Sequence, residues 1–320
     1  MSENNARSLS AEPSDLILRR ELAHGDALIG TIAPILRHLL ANDEHSVFSD
    51  EIIARVRGMM SDLARQLLDQ LTVAAGEPDT RDHGPAQIAD LVDGMVAHAG
   101  FLGHVHALAL EWQLTERLQS RLALDPVLSP LLQALIASSD AQVAASAMAL
   151  LAAQARFAQA QRRMQLPLGE LPGDLLYAAL LGLRGQISEG GEAHAAAAEQ
   201  VIRANYDESR SRLGLIAGLV AGMGGGAVAA LSITHAGTAM FLSALALASG
   251  QDRDMATLAT NEGQLARLAL ALRTAGLKSP AIEEQFEALH PDVAVPQGFD
   301  QLSSDQAAAL LARSAAYPGS

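Results

Sequence analysis

Apolar residues recur every three or four positions along most of the chain, which is the spacing of amphipathic helices. The first stripe follows Ser14, a residue type that caps helix N-termini, and it runs to about Leu40. His24 shares a predicted helix face with Leu28 and Ile32. The spacing therefore predicts a long first helix with His24 on or beside its buried stripe.

Caps and glycines divide the rest of the chain into further helices. Asp140 and the pairs Asp125-Pro126 and Ser279-Pro280 are expected to start helices, and Gly276 is expected to end one. No stretch shows the residue alternation that is typical of a strand. Besides the first helix and the one expected from Asp125, the pattern predicts helices over 50–75, 86–98, 101–122, 140–164, 175–183, 195–212, 252–261, 264–275, 279–289 and 303–314.

Composition shifts group these helices into units. The predicted organisation is a disordered tail over 1–13, an N-terminal helix pair over 14–76, a helical domain over 86–184, a linker over 185–193 and a C-terminal helical domain over 194–316. Residues 135–153 and 258–275 share a layout in which a polar turn precedes an Ala/Leu helix. We therefore predict an all-α fold in which an N-terminal helix pair or bundle is joined to a HEAT-like helical-repeat arrangement.

Residues 213–251 contain no Asp, Glu, Lys or Arg. Length alone favours a membrane span, because 21 uncharged residues are enough to cross a bilayer. Three adjacent glycines at 224–226 and an apolar run that continues past 233 favour short helices buried inside the protein instead. Gly214, Gly218, Gly222 and Gly226 lie four apart, and we expect this ridge to make a close helix contact that Gly218→Leu would disrupt.

Composition and charge exclude several functional classes. The 320 residues are 49% hydrophobic but only 3% aromatic, which agrees with helices that pack through Ala and Leu. The net charge of −14 disfavours nucleic-acid binding. The absence of cysteine excludes disulfides and thiol catalysis. The polar first 15 residues lack the apolar region of a signal peptide, so a cytoplasmic location is expected.

The candidate interaction surface is the basic cluster of this acidic chain. Arg156, Arg162 and Arg163 precede a loop that contains Glu170. Arginine is enriched at protein interfaces and binds carboxylates and phosphates. The alternative interpretation is a solvated helix end, where the helix dipole also favours cations.

No motif indicates catalysis, a cofactor or a metal. His104 and His106 are two residues apart on a predicted helix and point in different directions, so they are expected to be ordinary helix histidines. The segment around His24 resembles, loosely, the phosphoacceptor helix of histidine kinases, but no acidic-then-basic pattern follows it. A phosphoacceptor must also be exposed, whereas His24 is expected near the core.

Residues 231–250 and 265–277 resemble a family of uncharacterised bacterial all-helical proteins, classed as a domain of unknown function. The resemblance is carried by Leu231, Gly237, Phe241, the run Ala244-Leu245-Ala246 and the run Arg273-Thr274-Ala275-Gly276-Leu277. It covers about 230–290 and, less well, 126–164. These are packing motifs, so the resemblance implies a helical fold and no catalytic residues.

The sequence favours a non-enzymatic regulatory or scaffold protein that contacts an unidentified protein partner through helical-repeat surfaces. One alternative is a membrane-associated protein that is anchored through 213–249. The other is a histidine-phosphotransfer or dimerisation module in which the helix pair over 14–76 forms a homodimer.

Overall fold

The computed structural model describes residues 14–41, 50–76, 83–187 and 190–314. All regular elements in these ranges are helices, so the predicted all-α class is confirmed. The tail predicted over 1–13 lies outside the described residues. The α-helices are α1 (Ser14–Ala41), α2 (Asp50–Ala74), α3 (Pro85–Val96), α4 (Ala99–Leu122), α5 (Pro130–Ile136), α6 (Ala141–Arg162), α7 (Gly173–Gly185), α8 (Glu192–Asn205), α9 (Arg212–Gly222), α10 (Ile233–Ser249), α11 (Arg253–Leu258), α12 (Leu265–Thr274), α13 (Ser279–Leu289) and α14 (Ser304–Ala312).

Side-chain caps fix several helix ends. Asp140 accepts hydrogen bonds from the backbone N–H groups of Gln142 and Val143 at the start of α6, as predicted. Gly276 follows the end of α12, as predicted, with φ of +88°, and the Leu277 N–H donates back to the Leu272 carbonyl in a Schellman arrangement.

The helix predicted to begin at Asp125-Pro126 begins later in the structure. The Asp125 carboxylate accepts from the N–H groups of Val127 and Leu128, and this contact closes a turn instead of starting a helix. The helix α5 starts at Pro130, where the Ser129 hydroxyl accepts from the Leu132 N–H. The same chemistry, a short polar cap followed by proline, occurs at both places, so the local pattern did not distinguish them.

Two large hydrophobic cores and a small third cluster of Ile29, Met255 and Leu258 hold the described helices together. The α10 core surrounds α10, which is buried along most of its length, and it includes residues from α5, α9, α12, α13 and α14. The α2 core surrounds α2 and includes residues from α3, α7 and α8. Helices α1, α4 and α6 contribute residues to both cores. The division of the chain at 185–193 and the HEAT-like arrangement stay predictions.

The buried face of α1 departs from the predicted stripe around His24 and Leu28, although Leu18, Leu22, Leu36 and Leu39 of that stripe are buried. His24 is exposed and Leu28 is 43% exposed, whereas Leu22 and Ile29 are buried. The reason is a contact with the segment before α12, where the Gln264 side chain donates to the Gly25 carbonyl and leaves no space for a side chain at Gly25. Because a buried glycine has no apolar side chain, the spacing of apolar residues predicted burial of the neighbouring helix face instead. The prediction that His24 lies on or beside the core is therefore wrong.

The predicted glycine ridge of α9 is also wrong for most of its length. Gly218 and Gly222 are exposed, and a Cβ atom added at either would meet open space. The buried face of α9 is formed by Arg212, Ile216 and Val220, so the glycine face points outward. Gly214 alone has a close neighbour, because an added Cβ would overlap the Glu208 carbonyl oxygen.

Candidate cationic groove

A groove of about 760 Å³ lies between the end of α1, the middle of α2 and the whole of α3. This volume is within the range of ligand sites in proteins. We call it the α1–α3 groove. Its lining combines a largely apolar wall with a wall that carries three arginines.

The apolar wall is one face of α3. Its groove-lining residues recur at helical spacing and are Pro85, Ile88, Ala89, Val92 and Val96. Leu91, Met95 and Val96 of α3 are buried in the α2 core, and Ile88 and Val92 pack against its edge. Gly94 faces Gly182 of α7 at backbone distance, so α3 lies against α7 with no side chain between them. This close packing fixes the position of the apolar wall.

The cationic wall comes from α1 and α2. Arg37, Arg57 and Arg65 line the groove, and all three are exposed. The Nη2 atom of Arg37 donates to the Val96 carbonyl at 3.0 Å, and the Nη2 atom of Arg57 donates to the Leu39 carbonyl at 3.1 Å. The first bond places the Arg37 guanidinium group where α3 ends, and the second holds the Arg57 guanidinium group beside the end of α1.

The other end of the groove lies where α3 begins. His83 precedes α3 there, and its Nε2 atom lies 2.7 Å from the Asp69 Oδ1 atom on α2. Arg65 lies one turn before Asp69, close enough to Asp62 for its charge to act on that carboxyl. Burial raises the pKa of Asp62, while the Leu166 N–H, Gln66 and Arg65 oppose the rise. Arg65 and the His83–Asp69 contact thus lie toward the end of the groove where α3 begins.

The described lining of the groove combines apolar side chains with charged ones. The charged side chains among the described lining residues are the three arginines and Asp93. Ser61 and His83 both line the groove, but no hydrogen bond joins them within the described part of the chain.

The predicted interaction surface lies elsewhere, around the end of α6. Arg156, Arg162 and Arg163 are exposed, and none of them lines the groove. The Glu170 carboxylate accepts from the Arg212 N–H at 2.9 Å and so caps the start of α9. Burial raises the pKa of Glu170, although Arg212 and Arg156 oppose the rise. Glu170 thus has a structural contact, and the interaction surface stays a prediction.

Sequence reasoning missed a buried ionic cluster between α4, α9 and α11. Glu111 accepts from Arg212 through both carboxylate oxygens, at 2.7 and 3.1 Å, and its Oε1 atom lies 2.9 Å from Arg253. His104 lies one heptad before Glu111, and its Nδ1 atom is 2.9 Å from Asp254. The sequence did contain an indication of this cluster. His104 and Glu111 are seven residues apart in an apolar helix, and this spacing places both side chains on one helix face.

Burial and charge determine the ionisation of this cluster. Burial raises the pKa of Glu111, but Arg212 and Arg253 outweigh it and hold this pKa at about 2. Burial lowers the pKa of His106 to about 4, although Asp254 opposes this. Within the described residues no three His, Asp or Glu side chains are grouped as metal ligands. The cluster is therefore a tightly paired element of the interior.

The uncharged stretch folds as α9, a 3-10 helix over Gly224–Leu231, and α10. In the part of the chain that the structure describes, no single helix has the length and apolar character to cross a bilayer. The 3-10 helix and α10 reach that threshold only as a pair, with a bend of 113° between them.

Comparisons of the chain with protein-family models, with curated proteins and with solved structures find no match. The resemblance over about 230–290 therefore stays a prediction, as do the bacterial origin and the helical repeats that it implies. The all-helical class is common to that expectation and to the structure.

Proposed function

We propose that this protein is a non-enzymatic scaffold that binds a segment of a partner protein in the α1–α3 groove. The observation that carries the proposal is the two-sided lining of the groove, in which an apolar helix face is opposite three arginines. Such grooves recognise amphipathic segments by burying an apolar face and pairing charges at its edges. The proposal keeps the expected mode of action, contact through helix surfaces, and assigns it to one place.

The matched residues Ala89 and Ala86 provide the test. Both are exposed on α3, but only Ala89 lines the groove. Ala89→Glu places a carboxylate on the apolar wall, and Ala86→Glu adds the same charge outside it. We expect proteins captured from a native lysate by the wild-type chain to be lost with Ala89→Glu and retained with Ala86→Glu, as measured by quantitative mass spectrometry.

The same experiment separates the groove from the surface at the end of α6. A variant with Arg162→Glu and Arg163→Glu reverses two exposed charges outside the groove. We expect it to retain the captured proteins. If this variant loses them while Ala89→Glu keeps them, the partner binds at the end of α6 and the groove proposal fails.

Histidine phosphotransfer is the second candidate, because the exposure of His24 removes the objection that it is buried. A phosphoacceptor must be reachable by its donor, and His24 meets that requirement. The test is transfer of phosphate from a histidine kinase or response regulator to the wild-type chain. Transfer that His24→Ala abolishes would support this candidate, and absence of transfer to the wild-type chain would remove it.

A further inference from the structure

We infer that a small cavity beside a break in α10 is a binding site for about two ordered water molecules. The cavity lies between α4, α6, α9, α10 and the turn before α5, and it shares no lining residue with the α1–α3 groove. We call it the α10 cavity. Its ligand is separate from the partner proposed for the groove, so the inference does not depend on the proposed function.

The break in α10 is at Gly237. This residue has φ of +73° and ψ of +167°, a conformation that only glycine adopts at low cost, and the helix starts again after it. A helix start leaves its first N–H groups without carbonyl acceptors one turn earlier. Thr238 and Ala239, the first two residues after the break, line the α10 cavity and are buried. Their N–H groups therefore need acceptors outside the helix.

A buried amide oxygen lines the same cavity. Gln154 of α6 is only 9% exposed, and its Nε2 atom donates to the Pro126 carbonyl at 3.0 Å. Because a carbonyl can only accept, this bond determines which end of the amide is the oxygen. The Oε1 atom accepts no hydrogen bond from any group in the described part of the chain. A buried acceptor of this kind indicates a ligand that donates a hydrogen bond.

Water is the ligand that suits both kinds of group. An anion would suit the start of a helix, but it cannot donate to the Gln154 oxygen, and the Asp125 carboxylate in the lining repels it. A cation would suit the oxygen atoms, but the positive end of the helix dipole repels it. A water molecule donates to Oε1 and accepts from a backbone N–H at the same time.

The size of the α10 cavity agrees with this choice. The space open to water molecules is about 30 Å³, and one water needs roughly 10 to 15 Å³ of such space. Two hydroxyl groups in the lining provide further partners. The Thr115 hydroxyl donates to the Glu111 carbonyl and can still accept, and the Ser129 hydroxyl accepts from the Leu132 N–H and can still donate. Buried waters make about three hydrogen bonds each, and these groups can supply them.

The waters would stabilise a close contact between α10 and the start of α5. A Cβ atom added at Gly237 would lie 3.0 Å from the Ser129 Cβ atom, so the two segments approach closely at the break. This approach buries the N–H groups after Gly237 beside the Gln154 amide. Bridging waters satisfy these groups without a protein side chain between the helices.

The full-length wild-type protein provides the first test. A crystal structure at a resolution that shows ordered solvent is expected to contain about two water peaks in the α10 cavity. One of them should lie within hydrogen-bonding distance of the Gln154 Oε1 atom. In solution, nuclear Overhauser effects between water and the Ala239 amide proton should be present. Neither measurement needs a variant to fold.

A pair of variants on α6 tests the role of the amide oxygen. Gln154→Met keeps the length of the side chain but removes the acceptor, whereas Gln159→Met makes the same change at an exposed position. We expect Gln154→Met to lose the water peak beside residue 154 and the Overhauser effect at Ala239. Gln159→Met should keep both. Circular dichroism verifies that each variant is folded.

Several results would overturn the inference. They are a wild-type cavity without water peaks, density for an ion or a larger solute there, or a Gln154 Oε1 atom that accepts from a protein group. An unchanged water peak and Overhauser effect in Gln154→Met would overturn the role of the amide oxygen. None of these results changes the capture experiment with Ala89→Glu, which tests the groove by itself.

Discussion

At the scale of single residues, the ionic cluster around Glu111 shows why this interior tolerates charge. A buried carboxylate is costly unless it is paired, and Glu111 is paired with both Arg212 and Arg253. Arg212 also stacks its guanidinium group on the Phe157 ring, with its Cζ atom 3.6 Å from the ring centroid. Each charge in the cluster therefore depends on its neighbours.

Removing the carboxylate charge is expected to destabilise the protein strongly. Glu111→Gln leaves two arginines without their shared counter-charge, and breaking a buried pair in this way costs about 3 to 5 kcal/mol. Urea unfolding at neutral pH measures the change in the free energy of unfolding. Glu283→Gln, at an exposed position of α13, is the control and should stay within about 0.5 kcal/mol of the wild type. A cost for Glu111→Gln below about 1 kcal/mol would contradict this account of the cluster.

His106 makes stability depend on pH. Its pKa is about 4 in the folded protein and 6.5 in an unperturbed chain, so between these values the unfolded state binds more protons. The contribution of His106 to the free energy of unfolding is therefore fully present above pH 6.5, and it is lost as the pH falls toward 4. Burial lowers the pKa of His290 as well, so His290 adds a loss of the same sign.

The contribution of His106 can be isolated with His106→Gln, which does not titrate. Between pH 7 and pH 5 the free energy of unfolding of this variant should fall by roughly 2 kcal/mol less than that of the wild type. Urea unfolding curves at the two pH values provide the comparison. Equal losses in both proteins would mean that His106 keeps an ordinary pKa in the folded state.

At the scale of helices, α9 offers two glycines with opposite expectations. Gly218 is exposed within the helix and has open space around it, so Gly218→Ala should stabilise the protein by about 0.5 to 1 kcal/mol. At Gly214 an added Cβ would overlap the Glu208 carbonyl oxygen, so Gly214→Ala should cost at least about 1 kcal/mol. Thermal unfolding of the two variants is the measurement. If Gly218→Ala instead destabilises the protein, that result would support the predicted close helix contact at the glycine ridge.

Helix existence could be read from the sequence because it depends on local patterns. Asp140 and Gly276 each cap only the adjacent helical turn. Helix α6 begins after Asp140 and helix α12 ends before Gly276, as predicted. Which faces of α9 and α1 are buried could not be predicted from the sequence, because glycine and alanine occur on both buried and exposed helix faces. The buried side of α1 is decided by Gln264, which is 239 residues from Gly25.

The α1–α3 groove was not predicted either, for a related reason. Its arginines are far apart in sequence from the apolar residues of α3 that they face. Each helix shows an ordinary amphipathic pattern, and only their packing joins a cationic and an apolar face. The cluster of Arg156, Arg162 and Arg163 was visible because its members are close together in the chain. Arginines that are close together in the sequence therefore suggested a candidate interaction surface, but they did not suggest the groove.

At the scale of the whole molecule, the net charge of −14 limits how the groove can act. An acidic chain repels an acidic partner at long range, but at about 0.15 M salt charges separated by more than about 8 Å are largely screened. The partner proposed for the groove would therefore be held by short-range contacts and by burial of its apolar face. This combination favours a partner that satisfies both walls of the groove.

The two cores also predict how the molecule unfolds. Because α1, α4 and α6 each contribute to both cores, loss of one core removes residues from the other. We expect one unfolding transition in urea, with coincident midpoints for circular dichroism and for the fluorescence of Trp112, the single tryptophan of the chain. Separate fragments over 14–187 and 190–314 should each fail to unfold cooperatively, because α8 completes the α2 core through Ile202 while Leu114 of α4 belongs to the α10 core. Two transitions, or a cooperatively folded fragment, would instead support an independent domain on each side of 185–193.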